Sequence, residues 1–130
     1  MRTLTSARPW LLALALAAPL AAVAAPSESV QRDVDYLLAY IGDSGCQFNR
    51  NGSWVDARAA QAHVRMKYDQ LAASDQIATA RDFIDKAASF SSFSGTPYQV
   101  RCANEAPVAS GLWLSQALAK RQAATAASAR

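Results

Sequence analysis

Residues 46–56 read Cys46-Gln47-Phe48-Asn49-Arg50-Asn51-Gly52-Ser53-Trp54-Val55-Asp56. Side chains alternate on either side of Asn51-Gly52, the pair whose easy access to positive φ makes it the strongest two-residue hairpin signal. The spacing therefore predicts two short antiparallel strands. Asn51-Gly52-Ser53 also fits the glycosylation acceptor pattern, but the flanking alternation makes the turn the better account of it. Asp56 ends the alternation and suits the position that caps a following helix.

Working outward, Ala57, Ala60, Val64, Tyr68 and Leu71 share one helical face while Arg58, Gln61, Arg65 and Asp69 lie off it, which predicts a helix to about Ala73. Thr79, with Asp82 three residues on, resembles a capping box opening a third helix to about Ser89. From Ser89 to Thr96 the serines offer the backbone competing local hydrogen bonds, so this stretch reads as a loop with Phe90 and Phe93 as aromatic anchors. Pro97 holds Thr96 extended, and Tyr98 to Cys102 alternates as a strand does. Trp113, Leu114, Ala117 and Leu118 form the stripe of a fourth helix, capped by Ser110 or entered somewhat earlier, with an end expected to fray from about residue 122. Upstream, Val30, Val34, Leu37, Leu38 and Ile41 predict a first helix from about Ser29 to Ile41, begun by Ser27 or Ser29 and ended at Gly42. The expected fold class is α+β, with about four helices packed on a small antiparallel sheet of two or three strands.

Before the first helix, Arg2 and Arg8 precede the uncharged run Trp10 to Ala18, which Pro19 ends. That run is too short to span a bilayer, and Ala22-x-Ala24 supplies small residues of the kind a signal peptidase reads. Residues 1–24 are therefore expected to be a signal peptide cleaved near Ala24. Residues 25–130 would then be a single small, soluble α+β domain, periplasmic or secreted, with no transmembrane segment. The 130-residue chain is 52% hydrophobic and carries a formal charge of +3. Thirteen basic residues, less Arg2 and Arg8, against ten acidic ones leave the exported part at +1. A nearly neutral domain offers no electrostatic footprint for nucleic acid and no polybasic patch for an anionic membrane. Cys46 and Cys102 are the only cysteines, and in an oxidising compartment an even count reads as one disulfide. Closing so long a loop restricts the unfolded chain by about 4 kcal/mol in the entropic account.

Four stretches in order carry a family likeness: the Arg50-Asn51-Gly52 turn, His63 with Lys67 on a helix, Thr79-Ala80 with Phe83-Ile84, and Ser92-Phe93-Ser94-Gly95-Thr96-Pro97-Tyr98 leading into a strand. With Trp113-Leu114 they resemble the YfeK-like family of small exported bacterial proteins of unknown function. The likeness covers roughly residues 46–114 and departs from the family at Val64, where leucine is often found. It implies an exported protein of the Gram-negative envelope and carries no reaction with it.

His63 is the only histidine, and Lys67 follows one turn later at the border of the apolar stripe. Such a border position serves either of two roles. In the first, His63 is a base, Lys67 or Arg50 holds an anion, and Ser91, Ser92 or Ser94 is a nucleophile. In the second, His63 bonds a loop carbonyl or serine and pins the loop to the second helix. No Gly-x-Ser-x-Gly elbow is present, which favours the second role. A catalytic zinc would require His63 to find two carboxylates, and Asp56 and Asp82 are already placed as caps, so no catalytic residue, metal or cofactor is assigned. Phe90, Phe93, Tyr98 and Trp54 are expected to pack as a satellite core beneath the loop, the alternative being a ligand groove. Arg50, Asn51, Trp54, His63, Lys67, Ser92, Ser94 and Tyr98 are the candidate interaction or polar-pocket residues. The expected function is a non-enzymatic binding or interaction module for an envelope protein or component. The alternative is a small hydrolase of envelope material centred on His63.

Overall fold

The structure, a computed structural model, describes residues 25–130 together with 3, 5, 9, 10 and 12–19. Arg2, Arg8 and the Ala22-x-Ala24 motif of the expected signal peptide lie outside the described residues. Among those described, no helix is long and apolar enough to cross a membrane.

Ser27 opens the first helix, α1 (Glu28–Asp43), its hydroxyl accepting from the Val30 amide at 3.3 Å. The stripe read from the sequence is its buried face, with Val34, Leu37, Leu38 and Ile41 essentially inaccessible. The helix runs past Gly42, where the lack of a side chain lets Gln61 of the next helix approach closely. Positive φ appears only at Gly45, where the chain turns into the sheet.

Strands β1 (Gln47–Arg50) and β2 (Ser53–Asp56) form the expected hairpin, with Asn51 and Gly52 at φ of 52° and 84°. Positive φ at both central residues matches the turn to the twist of the strands. Strand β3 (Gln99–Arg101) pairs antiparallel with β1 on the side away from β2. A fourth strand, β4 (Val108–Ala109), pairs with β3 and completes the order β2-β1-β3-β4. The sheet thus has four strands where two or three were expected. Ala103 at φ 50° and a Glu105 amide to Cys102 carbonyl bond reverse the chain directly after β3, so that Val108 returns beside Val100. A strand of two residues is too short to show alternation.

The β1–β3 register pairs Phe48 with Val100. One step beyond each end of this ladder, Cys46 faces Cys102 in the disulfide, their Cα atoms 4.4 Å apart, and Arg50 faces Tyr98. With period two, all six residues lie on the inner side of the sheet. The core forms where that side meets the helices, around Phe48, Val100, Leu37, Leu38, Ile41, Phe83, Ile84 and Leu114. Trp113 packs edge-on to Phe48 and tilted on Tyr40, and so joins the sheet to α1.

Asp56 ends β2 and caps α2 (Ala57–Ala73) at once, its carboxylate accepting from the Ala59 amide at 2.8 Å. The capping box at Thr79 and Asp82 forms as expected and opens α3 (Ala80–Asp82). Beyond it the sequence suggests an ordinary helix to Ser89, whereas Phe83–Ala88 is π-helical. Two serines take up carbonyls at its end: Ser89 donates to Ile84 at 2.6 Å and Ser110 to Ala88 at 2.9 Å. Ser110 is accordingly the first residue of α4 (Ser110–Ser128) and not its cap, a position held by Ala109 with no side-chain bond. The helix continues past Gln122 to Ser128, and residues 122–130 are exposed.

Two consequences concern stability. Replacing Cys46 and Cys102 together by serine should lower the free energy of unfolding by about 2–5 kcal/mol in urea titrations, and an unchanged midpoint would show that the ladder keeps its register unaided. A Cβ at Gly111 would lie 2.5 Å from the Ser89 hydroxyl oxygen that holds the Ile84 carbonyl. Gly111→Ala should therefore destabilise by roughly 1–3 kcal/mol, and adding Ser89→Ala should recover part of that loss in a double-mutant cycle.

Candidate functional site

Alternation along β1 carries Arg50 to the same side as Phe48, and across the ladder Tyr98 stands opposite it. Because α2 begins without an intervening loop, its seventh to fourteenth residues run past this end of the sheet. His63, Met66, Lys67 and Gln70, at helical spacings of three and four, line the edge facing the serine loop. The loop is closed by bonds from the Ser91 amide to the Thr96 carbonyl and from the Tyr98 amide to the Ser89 carbonyl, each 2.9 Å. Gly95, at φ 72°, makes the turn inside it.

Four side chains form a continuous string. The Arg50 guanidinium contacts His63 Nδ1 at 2.8 Å, His63 Nε2 meets Tyr98 Oη at 3.1 Å, and Lys67 Nζ donates to the same phenol oxygen at 3.3 Å. A guanidinium can only donate, so Nδ1 accepts; the imidazole proton therefore sits on Nε2 and is given to Tyr98. Lys67 also donates to the Phe90 carbonyl at 2.7 Å and lies over the rings of Tyr98 and Phe90. It is only 7% exposed. Burial lowers its pKa, and the Arg50 charge adds to this. His63 is likewise held below the ordinary histidine range, first by burial and then by the charges of Arg50 and Lys67. Burial pushes the Tyr98 phenol up, with Arg50 opposing.

A second set of bonds ties the hairpin turn to the loop. Asn51 donates to the Ser91 hydroxyl at 3.3 Å and accepts from the Ser94 hydroxyl at 2.7 Å. Ser91 is buried and also accepts from the amides of Phe93 and Ser94, which fixes the loop's first turn. A cleft of about 220 Å³ remains between loop and helix, lined by Arg50, Lys67, Ser92 and Phe93 among others. Behind the string lies an apolar cavity of about 100 Å³, walled by Phe48, Val55 and Val64. Among the described residues, no three His, Cys, Asp or Glu side chains gather as metal ligands.

A family model described as a family of unknown function, DUF5329, matches residues 28–122, from the start of α1 through most of α4. The chain belongs to that family. No curated protein and no solved structure matches it.

In this DUF5329 chain, Arg50, His63, Lys67 and Tyr98 come together, with Asn51, Ser92 and Ser94 beside them. Trp54 does not join them. It lies on the outer side of the sheet, where the Arg101 guanidinium stacks 4.1 Å from its ring. The satellite core expected from Phe90, Phe93, Tyr98 and Trp54 therefore does not form: Tyr98 is buried, Phe90 is 40% exposed and Phe93 97%. His63 binds neither a loop carbonyl nor a serine. Those ties are made by Lys67 and Asn51, because the lysine stem reaches one turn further along α2 and the hairpin tip lies directly against the loop. Met66 and Gln70 also line the cleft, and their spacing from His63 and Lys67 is the signal that locates them.

The neutral His63 has a measurable consequence. Its folded pKa lies below the unfolded value of about 6.5, so the unfolded chain binds more protons between the two. This contribution to stability is complete above the unfolded value and declines as pH falls below it. Arg50, Lys67 and Tyr98 are the charged or titratable groups bonded or electrostatically coupled to the ring. His63→Gln can accept from Arg50 and donate to Tyr98, and should preserve stability at pH 7.5 while flattening the decline between pH 7 and 5. His63→Ala should cost roughly 1 kcal/mol, the low end of such losses, because Arg50 can turn to water. Urea titrations across that range provide the check, and an unchanged pH profile in His63→Gln would overturn the tautomer and the sign.

Proposed function

We propose that the protein is an exported, non-enzymatic binding module of the Gram-negative cell envelope, which uses the hairpin tip and the serine loop as its working face. The observation that carries this reading is Phe93. A phenylalanine 97% exposed on a loop held by backbone bonds and by the hydroxyls of Ser91 and Ser94 has no packing role in the chain itself. Exposed apolar side chains set beside bonded polar groups are characteristic of contact surfaces. Met66, 51% exposed, lines the same cleft.

Export is supported by the likeness to YfeK-like exported proteins, by the short apolar run before Pro19 and by the Cys46–Cys102 bridge, which suits an oxidising compartment. Trp10, Leu12, Leu14 and Leu16 are almost fully exposed and contribute nothing to the core, as befits a leader removed before residue 25. A hydrolase centred on His63 draws less support. Both ring nitrogens are engaged by Arg50 and Tyr98, and the hydroxyls of Ser91 and Ser94 are bonded to Asn51. A ring whose basic nitrogen accepts from a guanidinium is a poor proton acceptor for a nucleophile.

In a Gram-negative host, the expressed chain should appear in the periplasmic fraction with an N-terminus at Ala25 by mass spectrometry. A photo-crosslinking residue in place of Phe93 should capture a discrete envelope component there, whereas the same residue in place of Gln99, on the outer side of the sheet, should not. Cytoplasmic retention would overturn export, and equal capture from both positions would overturn the assignment of the face.

A further inference from the structure

The cleft beneath Phe93 carries an unbalanced charge. Arg58, Arg65, Lys86 and Arg121 each meet an aspartate elsewhere in the molecule. Arg50 and Lys67 line the same cleft and, among the described residues, no carboxylate lines it with them. The imbalance is greatest at Lys67, a residue only 7% exposed whose ammonium is bonded to a carbonyl and a phenol and lies over two aromatic rings, none of them anionic. Neutral partners satisfy hydrogen bonds, but they do not return the hydration energy that a buried cation has given up.

Donors also remain. The Arg50 guanidinium makes one side-chain bond, to His63, and has five N–H groups; Lys67 makes two and has three. Tyr98 accepts from both His63 and Lys67, which leaves its own hydroxyl hydrogen free to donate. Positive charge, spare donors and a planar guanidinium fit a planar or tetrahedral oxyanion, which Arg can grip with two parallel bonds. A neutral sugar would leave the charge uncompensated. The rim is apolar where Phe93 and Met66 stand exposed over the cleft.

We propose that this cleft binds an oxyanion, a carboxylate or a phosphate monoester, carried on an apolar group that rests against Phe93 and Met66. The anion sits between Arg50 and Lys67 and supplies the charge they lack, and the attached apolar group covers side chains that otherwise face water. Burial is the first cause of the depressed His63 pKa, and a bound anion offsets the part that the charges of Arg50 and Lys67 add, so occupancy and protonation of His63 favour one another. This names a ligand class for the loop face proposed above and rests on that reading. Its test uses purified protein and needs neither export nor a cellular partner, so the two can fail separately.

Because His63 is the only histidine, its imidazole NMR signals report on one position in the purified full chain. Acetate and hexanoate form one pair of probes, inorganic phosphate and hexyl phosphate the other, all at constant ionic strength. The expected result is a saturable shift of the His63 signals and an upward move of its titration midpoint. The longer member of at least one pair should bind roughly tenfold more tightly, through partial cover of its methylene groups, and the pair that binds more tightly identifies the head group. Arg50→Gln, at an exposed position, should keep the melting temperature and weaken binding at least tenfold; Lys67→Met should do the same where it folds. No saturable shift with either pair, no gain from the apolar tail, or unchanged affinity in Arg50→Gln would overturn the proposal.

Discussion

The pairing register of β1 with β3 is the constraint on which the rest of the structure depends. It places three cross-strand pairs in succession on one side of the sheet: the Cys46–Cys102 bridge, Phe48 against Val100, and Arg50 opposite Tyr98. A slip of β3 by one residue would send Tyr98, Val100 and Cys102 to the opposite side and break all three pairs. The covalent bridge at one end excludes that slip, the apolar pair in the middle is buried by α1 and α4, and the polar pair at the far end inherits its position from both. A bond useful for stability in a small domain is thus also what aligns the guanidinium with the phenol.

Lys67 shows the cost and the use of that arrangement. Lys67 is buried on α2 together with Ala60, Val64 and Tyr68, and its ammonium ends against the carbonyl of Phe90. Such a side chain is a weak source of net stability, since desolvation opposes each bond it makes. Its two bonds tie the serine loop, through the Phe90 carbonyl, to α2 and to the Tyr98 oxygen. Asn51 performs the same service from the hairpin side without a charge.

Much of this was legible in the residues. The α1 stripe, the Asn51-Gly52 turn, the caps at Asp56 and Thr79, and the single possible bridge are local signals, and local signals survive folding unchanged. What could not be read depends on partners distant in sequence. The widened coil of Phe83–Ala88 is tied off by Ser110 from another helix, and β4 exists because Ala103 reverses the chain onto β3. Spacing along α2 and strand parity place the candidate residues near one another, and in the structure they stand together around the cleft, except for Trp54, whose parity sends it to the outer side with Arg101. The bonds among them were assigned to the wrong donor, since a helical wheel gives the direction of a side chain but not its reach.

Asp56 is both the last residue of β2 and the cap of α2, so no linker separates hairpin from helix. The φ and ψ of that one residue are restrained by strand pairing with Gln47 on one side and by the cap bond to Ala59 on the other, so the two elements behave mechanically as one bent lever. Force applied at Arg50 is therefore carried along the hairpin into α2, and the two walls that bear His63 and Arg50 keep a constant separation. Any opening of the cleft falls to the opposite wall, the loop that turns at Gly95.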